Sequence, residues 1–573
     1  MARSLAYALL AWWIIACSAA TRAPQADASL SPVQTDLLSP LPKHTELLAS
    51  LTKDTNVLPW RPAGNAVASV SNPEAVIPPQ CYTRTEGKHN PCYVCHQNQI
   101  AGRENRMNDA RLQVAYSFSE TGLTNHWWNL FEDRSARVAA ISDEEILAWI
   151  AMDNFSELAG RLRAASFRGH IPELQGLAQG AAAFDDEGFA RDGSGWVTFN
   201  YKPFPSTFWP TNGSTDDVMI RLPEKFRRDA DGKESRAVYQ ANLAKLEAAI
   251  KGYDAIESSP LDERAIGADL DGDGRLRIAR RVLRGDRYVG DASDRVPLPH
   301  LYPQGTELLH TVRYVGIGPD GSITNAPRMK EVRYMVKWDS FSAVDLGHFY
   351  DEEYQEKYEG TLPEYPDRGQ SGLYNKMGWL VQGFIEGVDG RLRFNTYEET
   401  MFCMGCHNTI GSTIDKTFSF ARKIDGPTGW RYIDLRGMPD APSVGETEGE
   451  ILTYLERVGG GAEFRNNPEM AARWYRADGS LDREKVRAAR DVHELITPSR
   501  ERALLLDKAY RVIVADQDYI YGRDATVAPP ANVYDKVDPE TAPTLSEASF
   551  AEYDIRLDWS EQRPAGAVAG AQR

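Results

Sequence analysis

Two copies of one cysteine motif, far apart in the chain, constrain this sequence more than any other feature. They are CYVCH at residues 92–96 and CMGCH at residues 403–407, so the two histidines are 311 positions apart. C-x-x-C-H is the attachment sequence of c-type haem, in which each thiol forms a thioether and the adjacent His reaches the iron. The sequence therefore predicts two covalent haems. The predicted thioether anchors are Cys92, Cys95, Cys403 and Cys406, and the predicted proximal iron ligands are His96 and His407.

A structural zinc or iron–sulfur site built from the same four cysteines is the alternative interpretation. Zinc ribbons usually separate their two cysteine pairs by about 15 to 20 residues, which is far less than the separation in this chain. A histidine also follows both cysteine pairs directly, and a zinc site does not need one there. The motif spacing therefore favours haem over a four-cysteine metal site.

The N-terminus predicts export. After Arg3 the chain is apolar from Leu5 to Cys17, which fits a signal-peptide core and falls short of the roughly 18 residues of a spanning helix. The segment 14–17, IIAC, resembles a bacterial lipobox, so we expect a lipidated Cys17 that tethers the protein to a membrane. Ordinary cleavage within the following CSAAT is the alternative. The predicted location is the periplasm, the outer membrane or the cell surface. Export agrees with the haem prediction, because bacteria attach haem covalently outside the cytoplasm.

The two five-residue motifs resemble those of the c-type cytochromes. This resemblance implies a sixth iron ligand, often a Met before Pro some tens of residues after the motif. The best match after the second motif is Met438, 31 residues beyond His407 in LRGMPDAP, and a nearby option for the first is His126 in TNHWWNLF. Further options for the two sites are Met107, Met470 and His493.

Composition and local patterns predict a multi-domain, mixed α+β chain, in which mainly helical, cytochrome c-like haem regions flank a strand-rich middle region. Capping boxes at Ser142/Glu145 and Thr447/Glu450 predict helix starts. The alternation in KEVRYMVKW, residues 330–338, predicts a strand, and Pro-Asp-Gly at 319–321 predicts a turn. The predicted regions are a signal peptide (1–17), a tether (18–75), a first haem region (76–215), a strand-rich region (216–400) and a second, helical haem domain (401–573).

An acidic loop lies in the strand-rich region. ADLDGDGRLRI places Asp269, Asp271 and Asp273 at positions 1, 3 and 5 of an EF-hand-like loop, with the Arg275 carbonyl at position 7. Position 12 is Arg280, where an EF-hand has a bidentate Glu. A calcium ion at this loop would therefore need further ligands from elsewhere, and a solvated Asp-Gly turn is the alternative.

The motifs and the charge together suggest two functions. The chain has 65 Lys and Arg against 82 Asp and Glu, a net charge of −17, which disfavours nucleic acid and is compatible with basic redox partner proteins. We expect an electron carrier in which both irons have six ligands. The alternative is an enzyme resembling the dihaem peroxidases, oxidases or oxygenases, in which one iron keeps an open position. The sequence marks no distal groups for such a position.

Overall fold

The computed structural model describes residues 77–98, 103, 106–114, 116–205, 208–359, 364–459 and 467–560. All of these residues belong to one unit of the chain, residues 42–573. The predicted signal peptide, the lipidation site Cys17 and the tether lie outside the described residues.

A seven-stranded antiparallel sheet organises the fold. Its strand order is β1-β2-β5-β6-β8-β7, and β9 also pairs with β8, whereas β3 and β4 form a separate two-stranded sheet. The strands in the described part of the chain are β1 (Val197–Thr198), β2 (Thr215–Arg221), β3 (Ala255–Asp262), β4 (Ile278–Leu283), β5 (Glu307–Ile317), β6 (Ile323–Lys337), β7 (Leu373–Tyr374), β8 (Trp379–Glu386) and β9 (Leu392–Phe394).

The β5–β6 hairpin lies in the middle of this sheet, and its turn and its second strand agree with the sequence prediction. The Pro-Asp-Gly turn at 319–321 connects the two strands, and Gly321 has a φ of 80°, which glycine adopts without steric cost. Val332, Tyr334 and Val336 contact one apolar layer, so the predicted alternation is confirmed. Trp338 follows the last residue of the strand.

Short helices surround the sheet. In the described residues they are α1 (Ser135–Ala139), α2 (Asp143–Ile150), α3 (Leu158–Ala164), α4 (Arg236–Lys251), α5 (Glu263–Ile266), α6 (Ala343–Glu359), α7 (Tyr397–Met401), α8 (Glu450–Val458), α9 (Pro468–Trp474), α10 (Arg483–Arg487), α11 (Val492–Ile496) and α12 (Arg500–Asp516). None of the helices in the residues that the structure describes combines the length and apolarity needed to span a membrane.

One predicted helix cap is confirmed and the other is wrong. The Ser142 hydroxyl accepts a hydrogen bond from the Glu145 backbone N–H (3.1 Å) at the start of α2. Helix α8 begins after Gly449 instead of Thr447. The Asp440 carboxylate, from a preceding loop, accepts the backbone N–H groups of its first turn. A tertiary contact therefore replaces the local cap.

The two faces of the seven-stranded sheet carry different layers. One face buries apolar side chains, among them Met219, Leu309 and Val332, in a layer that includes residues of α3. On the opposite face, His310 of β5 is the register partner of Arg333 of β6. Register partners project to the same side of a sheet, so this second face carries polar side chains beside apolar ones such as Leu308 and Met335.

The predicted fold class, with mainly helical haem regions beside a separate strand-rich region, is wrong. Both cysteine motifs lie on single 3₁₀ turns, Pro91–Val94 and Phe402–Gly405, and residues of strands β5 and β6 form part of the wall of the cavity that the motifs share. Local periodicity indicates whether a segment is a strand or a helix. It does not show which face of a sheet a distant loop will cover, so the sequence did not reveal that the sheet is part of the candidate site.

Candidate functional site

The two cysteine motifs adopt the same local conformation. In each, the histidine backbone N–H donates to the carbonyl of the first cysteine, His96 to Cys92 (3.0 Å) and His407 to Cys403 (2.9 Å). Side chains three residues apart on a 3₁₀ turn lie above one another. Each motif therefore presents its two thiols together, next to its imidazole.

Both motifs line one cavity of about 690 Å³. This volume lies within the range of cofactor-binding pockets. Burial raises the pKa of the Cys95 thiol well above its usual range, and the nearby Cys406 and Cys81 thiols add to the effect. Cys81, which the motif does not use, also lines the cavity. The fold thus brings together two segments that are more than three hundred residues apart in sequence.

Hydrogen bonds connect the segments that carry the two motifs. The Ser412 backbone N–H donates to the carbonyl of Cys95 (3.0 Å). The Arg106 guanidinium donates to the carbonyl of Gly411 (3.0 Å), and that of Arg103 donates to the carbonyl of Thr413 (3.1 Å). Both arginines are almost fully buried, so these contacts form a solvent-shielded connection between the motifs.

At the first motif, a carboxylate orients His96, the predicted proximal ligand. The Nδ1 atom of His96 lies 2.8 Å from Oδ2 of Asp109, whose other oxygen accepts the Gln97 backbone N–H (2.7 Å). A hydrogen bond at Nδ1 leaves Nε2 as the ring nitrogen for a metal, and a carboxylate partner makes the imidazole more basic. The arrangement is the one that an iron-ligating histidine requires.

At the second motif, a backbone carbonyl has the same role. The Nδ1 atom of His407 lies 2.8 Å from the carbonyl oxygen of Lys416, and the Asn375 side-chain amide donates to the His407 carbonyl (2.7 Å). Burial, with smaller contributions from Arg333 and His310, lowers the pKa of His407 to about 4, although the hydrogen bond to the Lys416 carbonyl opposes this shift. The imidazole is therefore neutral near pH 7, which is the form that binds a metal.

A buried charged group from the sheet lies beside the second motif. Glu331 pairs with Arg333 (2.9 Å) and with Arg523 (3.0 Å), and all three side chains line the cavity. Burial raises the pKa of the Cys406 thiol to about 11, against the opposing effect of Arg333. The group carries one net positive charge, and guanidinium groups suit the carboxylates of a haem. These residues carry no local sequence signal, because the strand β6 places Glu331 and Arg333 here and a distant C-terminal loop places Arg523.

A second, smaller cavity of about 60 Å³ lies against His407. It shares Cys403, His407 and Arg333 with the larger cavity and extends to His310 on β5. The Nε2 atom of His310 lies 3.1 Å from Oδ2 of Asp216 on β2. Neither of these two residues belongs to a recognisable sequence motif.

The predicted sixth ligands do not line either cavity. Met438 is buried in the apolar core, and its carbonyl accepts the Val492 N–H (2.7 Å). His126 approaches the carbonyl of Thr121 (3.4 Å). Among the further options, Met107 and Met470 are buried in apolar clusters, and His493 lines a separate surface cavity.

The cysteines do not form a four-ligand metal cluster. Among the described residues, the one group of three or more metal-binding side chains whose ligand atoms converge is Glu263, Asp269 and Asp271. Two separate C-x-x-C-H turns facing a shared cavity fit two haems better than they fit one zinc or iron–sulfur site.

The acidic loop keeps only part of the predicted calcium geometry. Asp269 and Asp271 converge with the buried Glu263, which the sequence analysis had not included. Asp273 instead pairs with the Arg277 guanidinium (2.5 Å), and Arg275 donates its backbone N–H to Asp273 (2.8 Å). A calcium ion would therefore have Glu263 as the additional ligand and would compete with Arg277. Calcium binding stays a prediction.

The whole-chain comparisons place this protein among lipoproteins. A family model described as a "-like lipoprotein" matches residues 65–493, a range that contains both motifs. An "Uncharacterized lipoprotein" of Aquifex aeolicus (strain VF5) is 35% identical over 513 residues, which cover 79% of this chain and 86% of that protein. The chain belongs to this lipoprotein family. No solved structure matches it. Family membership confirms the lipoprotein prediction at this coarser level.

Proposed function

We propose that this lipoprotein is an exported dihaem c-type cytochrome that carries out electron transfer. One observation carries the proposal: two C-x-x-C-H motifs, distant in sequence, line one cavity. Each motif also has its histidine oriented through Nδ1, by Asp109 or by the Lys416 carbonyl.

The residues of the cavity have distinct roles in this proposal. The four motif thiols would anchor the two haems, and His96 and His407 would bind the irons. When bound, the haems supply one-electron redox chemistry. Apolar and aromatic side chains around the motifs exclude water, and the shared cavity places both redox sites in one protein interior. Redox partner proteins would exchange electrons with the haems bound in this cavity.

Covalent haem is the decisive test. Protein expressed with a haem-attachment system and then denatured and extracted with acidic organic solvent should retain two haems per chain. Peptide mapping should find one haem on the peptide containing residues 92–96 and one on the peptide containing 403–407. Complete loss of haem on extraction would refute the proposal.

The lipid anchor is tested separately. We propose that Cys17 carries the lipid, so Cys17→Ser should move the protein from the membrane fraction to the soluble fraction while leaving its haem content unchanged. Mass spectrometry of the mature N-terminal peptide checks the modification directly. Cys81→Ser, which changes a cysteine outside both motifs, is the matched control and should stay in the membrane fraction.

A redox enzyme resembling the dihaem peroxidases, oxidases or oxygenases is a second candidate function. The polar pair of Asp216 and His310 favours it, because these side chains line a small cavity that His407 also lines. An open iron needs such hydrogen-bonding groups, whereas an electron carrier with two six-coordinate irons does not.

A further inference from the structure

The small cavity at the second motif contains polar side chains in otherwise apolar surroundings. Phe199, Leu308 and Val381 contribute apolar wall, whereas Asp216, His310 and Arg333 contribute charged or hydrogen-bonding groups. The side chain of Asp216 is 7% exposed and that of His310 is 18% exposed. Polar groups are costly to bury unless they are hydrogen-bonded, so their contacts determine what they can bind.

Asp216 fixes the orientation of His310. Oδ2 of Asp216 lies 3.1 Å from Nε2 of His310 and also accepts a hydrogen bond from the Tyr201 hydroxyl. Because Asp216 holds Nε2, the nitrogen through which histidine commonly binds iron is already engaged. This arrangement suits a side chain that forms a hydrogen bond to a ligand of the iron better than one that binds the iron itself.

Asp216 also lines a larger cavity. This surface cavity has a volume of about 680 Å³ and includes Asn325, whose side-chain amide donates to the Asp216 carbonyl (3.0 Å). Ala182, which is exposed, forms part of its wall. Asp216 thus lines both the surface cavity and the small cavity beside His407.

We propose that His310, held by Asp216 and Tyr201 and assisted by Arg333, forms the binding site for a small exogenous ligand of the second haem iron, of the cyanide or peroxide class, which enters through the surface cavity. This inference rests on the proposed function, because it requires a haem at residues 403–407. It assigns the open position to the second haem and leaves the first as the electron-relaying one.

Cyanide binding to the oxidised dihaem protein tests this site. Ferric wild-type protein should bind cyanide at one haem, seen as a change in the absorption and electron paramagnetic resonance spectra. His310→Gln should weaken cyanide binding by about tenfold or more, because it removes a positioned hydrogen-bonding group. Asp216→Asn should weaken it in the same direction, and it serves as the second variant if the first does not accumulate.

His170→Gln is the matched control. His170 stacks on Tyr334, which packs in the apolar layer on the opposite face of the sheet. The change should therefore leave the cyanide affinity unaltered. If wild-type protein binds no cyanide and His310→Gln converts a low-spin iron to a high-spin one, His310 is an iron ligand and the proposal is wrong. Equal affinities in wild type and both variants would also refute it.

The entry route through the surface cavity is tested by the association rate of cyanide. Ala182→Trp should slow cyanide association several-fold while leaving the equilibrium affinity nearly unchanged, because it narrows the surface cavity without touching His310. An unchanged association rate would refute the route. Haem content after denaturing extraction is measured for every variant. A missing second haem in the wild-type protein counts against the proposed function. A change in cyanide binding while both haems are present tests this site alone.

Discussion

The two cysteine motifs have nearly the same sequence and the same turn, yet their histidines have different partners. Asp109, a carboxylate, binds Nδ1 of His96, whereas the neutral carbonyl of Lys416 binds Nδ1 of His407. A carboxylate partner increases electron donation from the imidazole to the iron and lowers the reduction potential. Two copies of one motif can thus produce redox sites of different potential.

The surrounding charges increase this difference. The Arg333 guanidinium lies beside the second motif and lowers the pKa of the Cys406 thiol against the effect of burial. Positive charge near an iron favours its reduced form. We therefore expect the first haem to have the lower potential and electrons to move from the first site to the second, which is the site with the small polar cavity.

The largest expected effect is selective loss of one haem. Cys403→Ser with Cys406→Ser should abolish covalent haem at the second motif and leave the first, since each thioether pair forms on its own turn. Cys92→Ser with Cys95→Ser should give the reverse result. Haem-peptide mapping checks both variants, and loss of both haems in either variant would show that the two sites do not load independently.

Replacing the carboxylate partner should reduce the difference between the sites. Asp109→Asn should raise the potential of the first haem on the order of 60 mV, a tenfold change in a one-electron equilibrium, and leave the second haem unchanged. A spectroscopic redox titration measures both potentials. Glu552→Gln is the control, because Glu552 contacts Asn98 near the first motif without touching His96. An equal shift in the control would mean that the loss of any nearby negative charge, and not the loss of the hydrogen bond to His96, changes the potential.

A smaller shift in reduction potential is expected when the Arg333 guanidinium is removed. Arg333→Gln should lower the potential of the second haem by less than the Asp109→Asn shift, because Glu331 already neutralises part of the Arg333 charge. The same redox titration measures it. Arg221→Gln removes a guanidinium that pairs with Glu307 away from the cavity, and it should leave both potentials unchanged. A rise in the second potential on Arg333→Gln would contradict the assigned role of this charge.

Local sequence signals predicted individual elements well. The β5–β6 hairpin follows from its Pro-Asp-Gly turn and alternating apolar residues, and the start of α2 follows from its Ser142 cap. The cap of α8 was missed because its acceptor, Asp440, comes from a loop outside the local pattern. Signals of this kind act over a few residues, and they are reliable only where no tertiary contact replaces them.

The predicted sixth ligands show the same limit. Met438 follows the second motif at a plausible spacing, but it packs in the core, whereas His310 precedes that motif and lines the cavity beside it. His310 lies inside a strand, where a single polar residue carries no functional signal in the sequence. Pairing with Asp216 and Arg333 depends on strand register, which spacing from the motif does not encode.

The sequence by itself predicted the chemistry of the two motifs, because thioether attachment and iron ligation require adjacent residues in a fixed order. It also predicted a lipoprotein, because a lipobox is a contiguous signal. Only the tertiary structure decided that both motifs share one cavity, that a sheet forms its wall, and that the two histidines have unequal partners. These properties depend on contacts between residues hundreds of positions apart, which burial and strand pairing establish only when the whole chain folds.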